Sequence, residues 1–277
     1  MLLSEGGYQT NKDDFNEINN EIINAGSFQI PNGYKINNNN NGKNDSDKLS
    51  RNVCWILFLI GFAYGGMLLA SLAASSILSL FSMDDGLYLI LTEVFTYVFL
   101  FCSLGFVAFK SKNFFIKNLK DGKNYLFGLV FGALTLCAEI VVSSLIASFY
   151  QAEVNSNQSI VNELTKNYPT LMIITTVIIG PFCEELTYRV GLYELLRKKN
   201  EVFGFIVSGL VFAFVHIGFT DTTFLAEITA FPVYLTIAYL FNLAYKKYGL
   251  AGSVTAHAIT NLVSMLAILL VWKRKNF

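Results

Sequence analysis

Residues 170–196 read TLMIITTVIIGPFCEELTYRVGLYELL, an apolar run that contains two adjacent carboxylates and an arginine. The run exceeds the ~20 apolar residues that a membrane-spanning helix needs. Ionisable groups inside such a helix are costly, and they usually face the interior of a helix bundle and mark a functional site. This stretch therefore predicts both a membrane protein and a buried polar site.

Further apolar segments flank this run on both sides. They cover residues 53–81, 87–109, 125–149, 202–218, 223–245 and 250–272, of which only 202–218 is marginal in length. The chain is 53% hydrophobic and only 14% charged, whereas roughly a quarter of the residues of a soluble domain are charged. We therefore expect an all-α fold, a polytopic transmembrane bundle of about seven helices, within a range of roughly six to eight.

The chain divides into three regions. Residues 1–50 are polar and rich in asparagine and lack the apolar periodicity of a core, which predicts a disordered cytoplasmic tail. Residues 51–124 are predicted to hold two transmembrane helices and a basic loop, and residues 125–277 the core that carries the polar intramembrane groups. Small residues such as Gly61 predict close helix packing in the first span, not a site.

The distribution of charge predicts the orientation of the chain. A net charge of zero gives no basic excess that would favour nucleic acid. Lysine and arginine cluster in alternate loops, which predicts a cytoplasmic N-terminus. The basic residues after 272 then conflict with seven spans, so one segment is expected to be re-entrant or the count even. The piece before Pro232 is the candidate, because proline interrupts helical hydrogen bonding.

Two carboxylates of the first stretch have different expected partners. Glu185 and Arg189 stand at i and i+4, in the favoured order for a helical ion pair. Glu184 lies about 100° further round the helix and is left free for another task.

The chain contains two histidines, His216 and His257. Both lie within apolar segments, and His257 shares one helix face with Asn261 at i and i+4. Counted at ~1.5 Å per residue from the basic loops, Glu184 and these three residues all lie ~15–25 Å deep. We therefore expect one glutamate, two histidines and an asparagine from three helices to meet in one layer.

Such a group suits peptide hydrolysis inside a membrane. A carboxylate or histidine accepts a proton from water, and side-chain donors stabilise the oxyanion that forms at the scissile carbonyl. Alternatively, Glu184, His216 and His257 could bind Zn²⁺ and leave an open position for water. The residues leave both mechanisms open.

The motifs EExxxR, FxxxH and HxxxN are present at Glu184–Glu185–Arg189, Phe212–His216 and His257–Asn261. In this respect residues 125–272 resemble the CPBP (Abi) family of intramembrane proteases, which includes type II CAAX prenyl endopeptidases and lysostaphin-resistance-like proteins. The resemblance implies that Glu184 and His216 activate water and that His257 and Asn261 hold the oxyanion. Glu185, Arg189 and Phe212 complete the motifs and are expected to have supporting roles, which for Glu185 and Arg189 follow from their ion-pair geometry.

The resemblance also implies a partner and a location. The expected substrate is a membrane-associated or prenylated, CAAX-like peptide, and the expected location is a bacterial plasma membrane, in contact with lipid. Family members include metalloproteases, metal-independent enzymes and proteins of bacteriocin immunity. A catalytically silent immunity or scaffold protein is therefore one alternative, and a proton-coupled transporter is another.

Four other polar residues are expected to have structural roles. Glu93 and Glu227 lie near predicted span ends and are expected to reach toward the membrane interface. Glu139 lies in mid-span, where it could pair with Arg189. Ser253 follows a glycine at the start of the last segment and is expected to cap that helix.

Overall fold

The computed structural model describes residues 49–65, 72, 75–150, 154–218 and 224–276. The tail predicted for residues 1–50 lies outside these ranges except for its last two residues. Leu49 is buried, and its carbonyl accepts a hydrogen bond of 2.9 Å from Lys198 Nζ. Leu49, near the end of the predicted tail, therefore packs in a hydrophobic cluster of the helices.

Helices form all the regular secondary structure of the described residues, as the sequence predicted. They are α1 (Arg51–Gly65), α2 (Asp85–Lys110), α3 (Lys112–Leu119), α4 (Gly122–Phe149), α5 (Ser156–Asn167), α6 (Pro169–Arg197), α7 (Glu201–Phe214), α8 (224–248) and α9 (250–276). Residues 72 and 75–78 are also helical. The short helices α3 and α5 lie where only loops were expected.

The long apolar helices make this an integral membrane protein. Among the described residues, α2, α4, α6 and the stretch Phe224–Lys275 are long and apolar enough to cross a bilayer. The apolar helices Arg51–Phe62 and Glu201–Phe214 are shorter, which agrees with the marginal length predicted for 202–218. Each predicted apolar segment therefore corresponds to a helix, although the first one is described only in part.

Helix α6 contains two π-helical stretches, Ile173–Ile179 and Leu186–Tyr193. The Gly180 N–H donates to the Thr175 carbonyl, five residues earlier, where an α-helix would bond four residues back. Pro181 follows at once, and its ring has no N–H and crowds the carbonyl four residues before it. The wider turn accommodates this proline, and π-helical turns frequently occur at functional sites.

Gly249 separates α8 from α9 without a loop. Its φ of 64° lies in the left-handed region, which glycine adopts at no steric cost. The helix is continuous through Pro232, so the interruption predicted there is wrong and the break lies 17 residues later, at Gly249. Ser253 lies inside α9 with its hydroxyl 3.4 Å from the Leu250 carbonyl, so it does not cap the helix.

Small residues set the distance between α4 and α9. A Cβ at Gly128 would lie 2.7 Å from the Gly252 carbonyl oxygen, and one at Gly132 would lie 3.1 Å from that of Ala256. Glycine therefore allows the two backbones to approach closely, as in many membrane helix pairs. Gly61 of α1 similarly lies against Thr187 of α6, which confirms the packing role predicted for it.

Candidate active site

Glu184 lies where α6 faces both histidines. Its Oε2 atom is 3.9 Å from His216 Nε2 and 3.8 Å from His257 Nε2. Glu184, His216 and His257, which the sequence predicted to lie at a similar depth, therefore do converge. His216 differs in one respect from the prediction, because it lies in the turn just after α7 and not inside the helix.

Hydrogen bonds fix the tautomer of each histidine. His216 Nδ1 lies 2.7 Å from the Phe212 carbonyl oxygen, and His257 Nδ1 lies 3.0 Å from Glu185 Oε1. Both partners accept, so each Nδ1 carries a proton, and each Nε2 faces Glu184 Oε2. The two Nε2 atoms and Glu184 Oε2 together bring three polar atoms to one point, an arrangement suited to binding water and, at the carboxylate, to deprotonating it.

A buried ion pair contacts Nδ1 of His257. Arg189 and Glu185 are both fully buried, and Arg189 Nη1 lies 3.1 Å from Glu185 Oε1, the same oxygen that accepts from His257. Arg189 Nη2 also donates to the Ala238 carbonyl at 3.1 Å. The i,i+4 pair predicted from the sequence is therefore present, and it links α6 to α8 and α9.

Aromatic rings pack against both histidines and the arginine. The guanidinium of Arg189 lies 4.5 Å from the ring centroid of Phe212, a cation–π distance. His216 packs between Phe212 and Tyr234, with centroid separations of 4.6 and 4.8 Å, and His257 stacks on Phe241 at 4.5 Å. Phe212 thus explains the first position of FxxxH, since its carbonyl and its ring both contact His216.

Asn261 lines a cavity of about 150 Å³, together with Glu184, His216 and His257. Its Nδ2 donates to the Thr176 carbonyl at 2.7 Å, within the first π-helical stretch of α6. An amide has two donor hydrogens, so a second one remains for another acceptor. All four predicted residues therefore line one cavity, and the hydrogen bond to Thr176 of α6 orients Asn261.

Side chains that sequence reasoning assigned elsewhere also line this cavity. Glu93 and Tyr97 of α2 and Glu139 of α4 contribute to its wall. The interfacial role predicted for Glu93 is therefore wrong, as is the pairing of Glu139 with Arg189, whose carboxylate partner is Glu185. Tyr97 was missed, although its i,i+4 spacing from Glu93 places both on one helix face and was a readable signal.

Known proteins resemble the part of the chain that carries this geometry. A family model described as "Rce1-like: Type II CAAX prenyl endopeptidase Rce1-like" matches residues 166–263. The predicted family resemblance is confirmed. The match supports an intramembrane protease fold, and Glu184, His216, His257 and Asn261 all lie inside the Rce1-like segment.

Curated relatives match parts of the chain at moderate identity. UPF0177 protein YvdC of Lactococcus lactis is 31% identical over 139 residues, 50% of this chain and 51% of the relative. UPF0177 protein YbdJ of the same organism is 39% identical over 88 residues, 31% of this chain and 34% of the relative. An uncharacterized protein of Mycoplasma capricolum is 35% identical over 104 residues, 37% of this chain and 29% of the relative.

These alignments span about half of the length of the curated relatives, or less. No solved structure matches the chain significantly.

Glu227, within the Rce1-like segment, organises the backbone around His216. Its carboxylate is buried and accepts hydrogen bonds from the Ser156 amide (2.8 Å), the Ser156 hydroxyl (2.6 Å) and the Gly218 amide (2.8 Å). Asn155 Nδ2 lies 3.5 Å from Glu227 Oε2 and also donates to the His216 carbonyl at 3.3 Å. The interfacial role predicted for Glu227 is therefore wrong, because α5 and the turn after α7 enclose it.

Replacement of Glu227 by alanine is expected to lower the free energy of unfolding by about 1–3 kcal/mol, because it leaves buried donors without an acceptor. Thermal unfolding in detergent measures this change. Glu163→Ala, which removes an exposed carboxylate of α5, is the matched control and should leave the unfolding temperature unchanged. Equal effects of the two substitutions would contradict the structural role of Glu227.

The ligand set predicted for zinc fits in chemical type but not in spacing. Tetrahedral Zn²⁺ with bonds of about 2.0–2.1 Å separates its ligand atoms by about 3.4 Å. Glu184 Oε2 lies 3.8 and 3.9 Å from the two Nε2 atoms. In the described part of the chain, no group of three or more His, Cys, Asp or Glu side chains has a metal-binding arrangement.

Proposed function

We propose that this protein is an intramembrane endopeptidase that hydrolyses a peptide bond of a membrane-associated substrate. The observation that carries the proposal is the approach of Glu184 Oε2 to the Nε2 atoms of His216 and His257, at 3.9 and 3.8 Å. Polar atoms from α6, from the turn after α7 and from α9 then surround one point in the cavity. The membrane-protease class of the matched family supports the same reading.

In the proposed mechanism, Glu184 and His216 bind the attacking water. As the water oxygen bonds to the scissile carbonyl carbon, one water proton passes to Glu184 Oε2 and the carbonyl becomes an oxyanion. Glu184 then gives this proton to the departing amine as the carbon–nitrogen bond breaks. The carboxylate is restored, and the products are a carboxylic acid and an amine.

His257 and Asn261 are proposed to stabilise the oxyanion. For His257 this role requires a proton on Nε2, and the Glu185 carboxylate at Nδ1 stabilises the imidazolium that results. Asn261 contributes the amide hydrogen that does not bond to Thr176. Donors held in place before the reaction stabilise developing charge without reorganisation.

The shape of the cavity favours an apolar or lipid-anchored peptide. A second cavity of about 450 Å³ shares Glu139, Tyr234 and Ser264 with the first. Its wall continues along apolar side chains of α4 and α8 that include Ile146 and Val233. A prenylated, CAAX-like peptide is the substrate class that the matched family suggests.

Cleavage of membrane peptides by the purified protein in detergent tests this proposal. His216→Ala is expected to reduce kcat by about 100-fold or more, the usual contribution of an acid–base group. Leu210→Ala, which shortens an exposed side chain of α7, is the matched control and should retain full activity. An unfolding temperature close to that of the wild type would show that the His216 variant is folded.

The same assay separates the proposal from its two rivals. A catalytically silent scaffold would cleave no peptide, and a proton-coupled transporter would acidify proteoliposomes in response to a substrate gradient. The convergence of Glu184, His216 and His257 on one point of a cavity of about 150 Å³ favours chemistry over transport.

The proposed mechanism proceeds without a metal. The separations of 3.9 and 3.8 Å between Glu184 Oε2 and the two Nε2 atoms favour this, because they exceed the spacing of ligand atoms around Zn²⁺. Peptide cleavage is therefore expected to persist after dialysis against a chelator. Mass spectrometry of the purified protein measures bound metal in parallel. Loss of activity on chelation, with recovery on addition of one equivalent of Zn²⁺, would contradict this prediction.

A further inference from the structure

We propose that Tyr97 is a positioning residue for Glu184, so that α2, outside the Rce1-like segment, completes the active site. The inference rests on the proposed peptidase function. It assigns a task to a part of the chain for which the motifs and the family match provide none.

The first observation is a hydrogen bond between helices. Tyr97 Oη donates to Glu184 Oε1 over 3.2 Å. The other carboxylate oxygen, Oε2, is buried without a hydrogen-bond partner among the described residues and lies nearest to the two histidines. The tyrosine therefore holds one oxygen and directs the other, the reactive one, toward the point where water binds.

The second observation is the close packing of Tyr97 on α6. A Cβ at Gly180 would lie 3.3 Å from Tyr97 Cε1, so the ring rests on α6 at a position with no side chain. Gly180 is also where the first π-helical stretch ends, one turn before Glu184. The ring is thereby fixed against the same helix turn that carries the carboxylate, and the hydroxyl can reach only a narrow set of positions.

The arrangement has a chemical consequence for the reaction. A carboxylate that rotates freely about its terminal bond would present either oxygen, and often in the wrong direction, because this torsion is soft. A hydrogen bond to one oxygen removes that freedom before the substrate binds. Such preorganisation lowers the barrier of the chemical step and leaves substrate binding almost unchanged.

Tyr97→Phe tests the inference, because it removes only the hydroxyl. We expect kcat to fall by about 10- to 100-fold, in the range of one hydrogen bond to a charged group, with KM unchanged within about twofold. Tyr88→Phe removes a hydroxyl from the same helix at a position that does not line the cavity, and it should leave both constants unchanged.

A second background separates positioning from a general structural effect. Glu184→Asp shortens the side chain and withdraws the carboxylate from Tyr97, so this variant already lacks the hydrogen bond. In that background Tyr97→Phe should cost less than about twofold in kcat, because residues that act as a unit are not additive. If Tyr97→Phe lowers kcat by the same factor in the wild-type and Glu184→Asp backgrounds, the inference is overturned.

Failure of the inference differs from failure of the proposed function. An active wild-type enzyme whose kcat is unchanged by Tyr97→Phe would overturn the role of Tyr97 and leave the peptidase proposal intact. A folded wild-type protein that cleaves no membrane peptide would overturn both. A fall in kcat with constant KM and the non-additive double variant together support the inference.

Discussion

Glu184→Gln is expected to reduce kcat by about 10²- to 10⁴-fold, the range for loss of an acid–base group. The substitution keeps the shape of the side chain but removes its capacity to take a proton from water. The amide occupies the same space, 3.8 and 3.9 Å from the two Nε2 atoms, so the variant should remain folded. Peptide cleavage at saturating substrate measures the effect.

A matched glutamate tests whether the loss is specific to the site. Glu201 lies at the start of α7, where it is half-exposed and pairs with Lys246 at 2.8 Å. Glu201→Gln should therefore retain wild-type kcat. If Glu184→Gln retains more than about a tenth of wild-type kcat, Glu184 is not the general base, and the assignment of the site to this carboxylate fails.

Arg189→Ala is expected to lower the free energy of unfolding by about 3–5 kcal/mol, the usual cost of breaking a buried ion pair. The substitution leaves Glu185 as an uncompensated charge in a fully buried position. It also removes the donor to the Ala238 carbonyl and the contact with Phe212. Thermal or denaturant unfolding in detergent micelles measures this loss.

Lys246 provides the exposed counterpart. Its side chain is 46% exposed and pairs at 2.8 Å with Glu201, which is 51% exposed, so Lys246→Ala should cost less than about 1 kcal/mol. Similar costs for Arg189→Ala and Lys246→Ala would contradict the role of the buried pair in stability.

A double substitution separates the stability of this pair from its role in the site. With Glu185→Met and Arg189→Met together, neither charge is left unpaired, and hydrophobic side chains of similar volume often restore stability. Peptide cleavage should nevertheless remain low, because His257 Nδ1 loses the carboxylate that orients it. Recovery of both stability and activity would show that the pair has no part in the reaction.

The polar groups of the site were predictable where their partners lie on one helix or at one depth. Glu185 and Arg189 are an i,i+4 pair, which local spacing alone indicates. Glu184, His216 and His257 are rare ionisable groups in apolar segments, so their cost in lipid marks them. The all-α fold followed from the length of the apolar runs for the same reason.

The remaining residues of the site depend on tertiary contacts that spacing does not encode. Glu227 seemed interfacial because it begins a span, but α5, which was not predicted, supplies the donors that bury it. Glu93 and Tyr97 belong to a helix outside the motifs, and only the packing of α2 on α6 brings them to Glu184. His216 lies beyond the end of α7, since an apolar run continues past a helix end.

The π-helical stretch Leu186–Tyr193 determines how α6 responds to the loss of one residue. A π-helical turn holds one more residue than an α-helical turn of the same height, so loss of a single residue from this stretch would let regular α-helix form. Side chains beyond the deletion would then keep nearly the same height and orientation relative to the neighbouring helices, because the extra residue is contained within one turn. Single-residue deletions between 186 and 193 should therefore be tolerated where they relax the turn without moving Arg189. A deletion between Glu185 and Arg189 would instead uncouple the two motif positions.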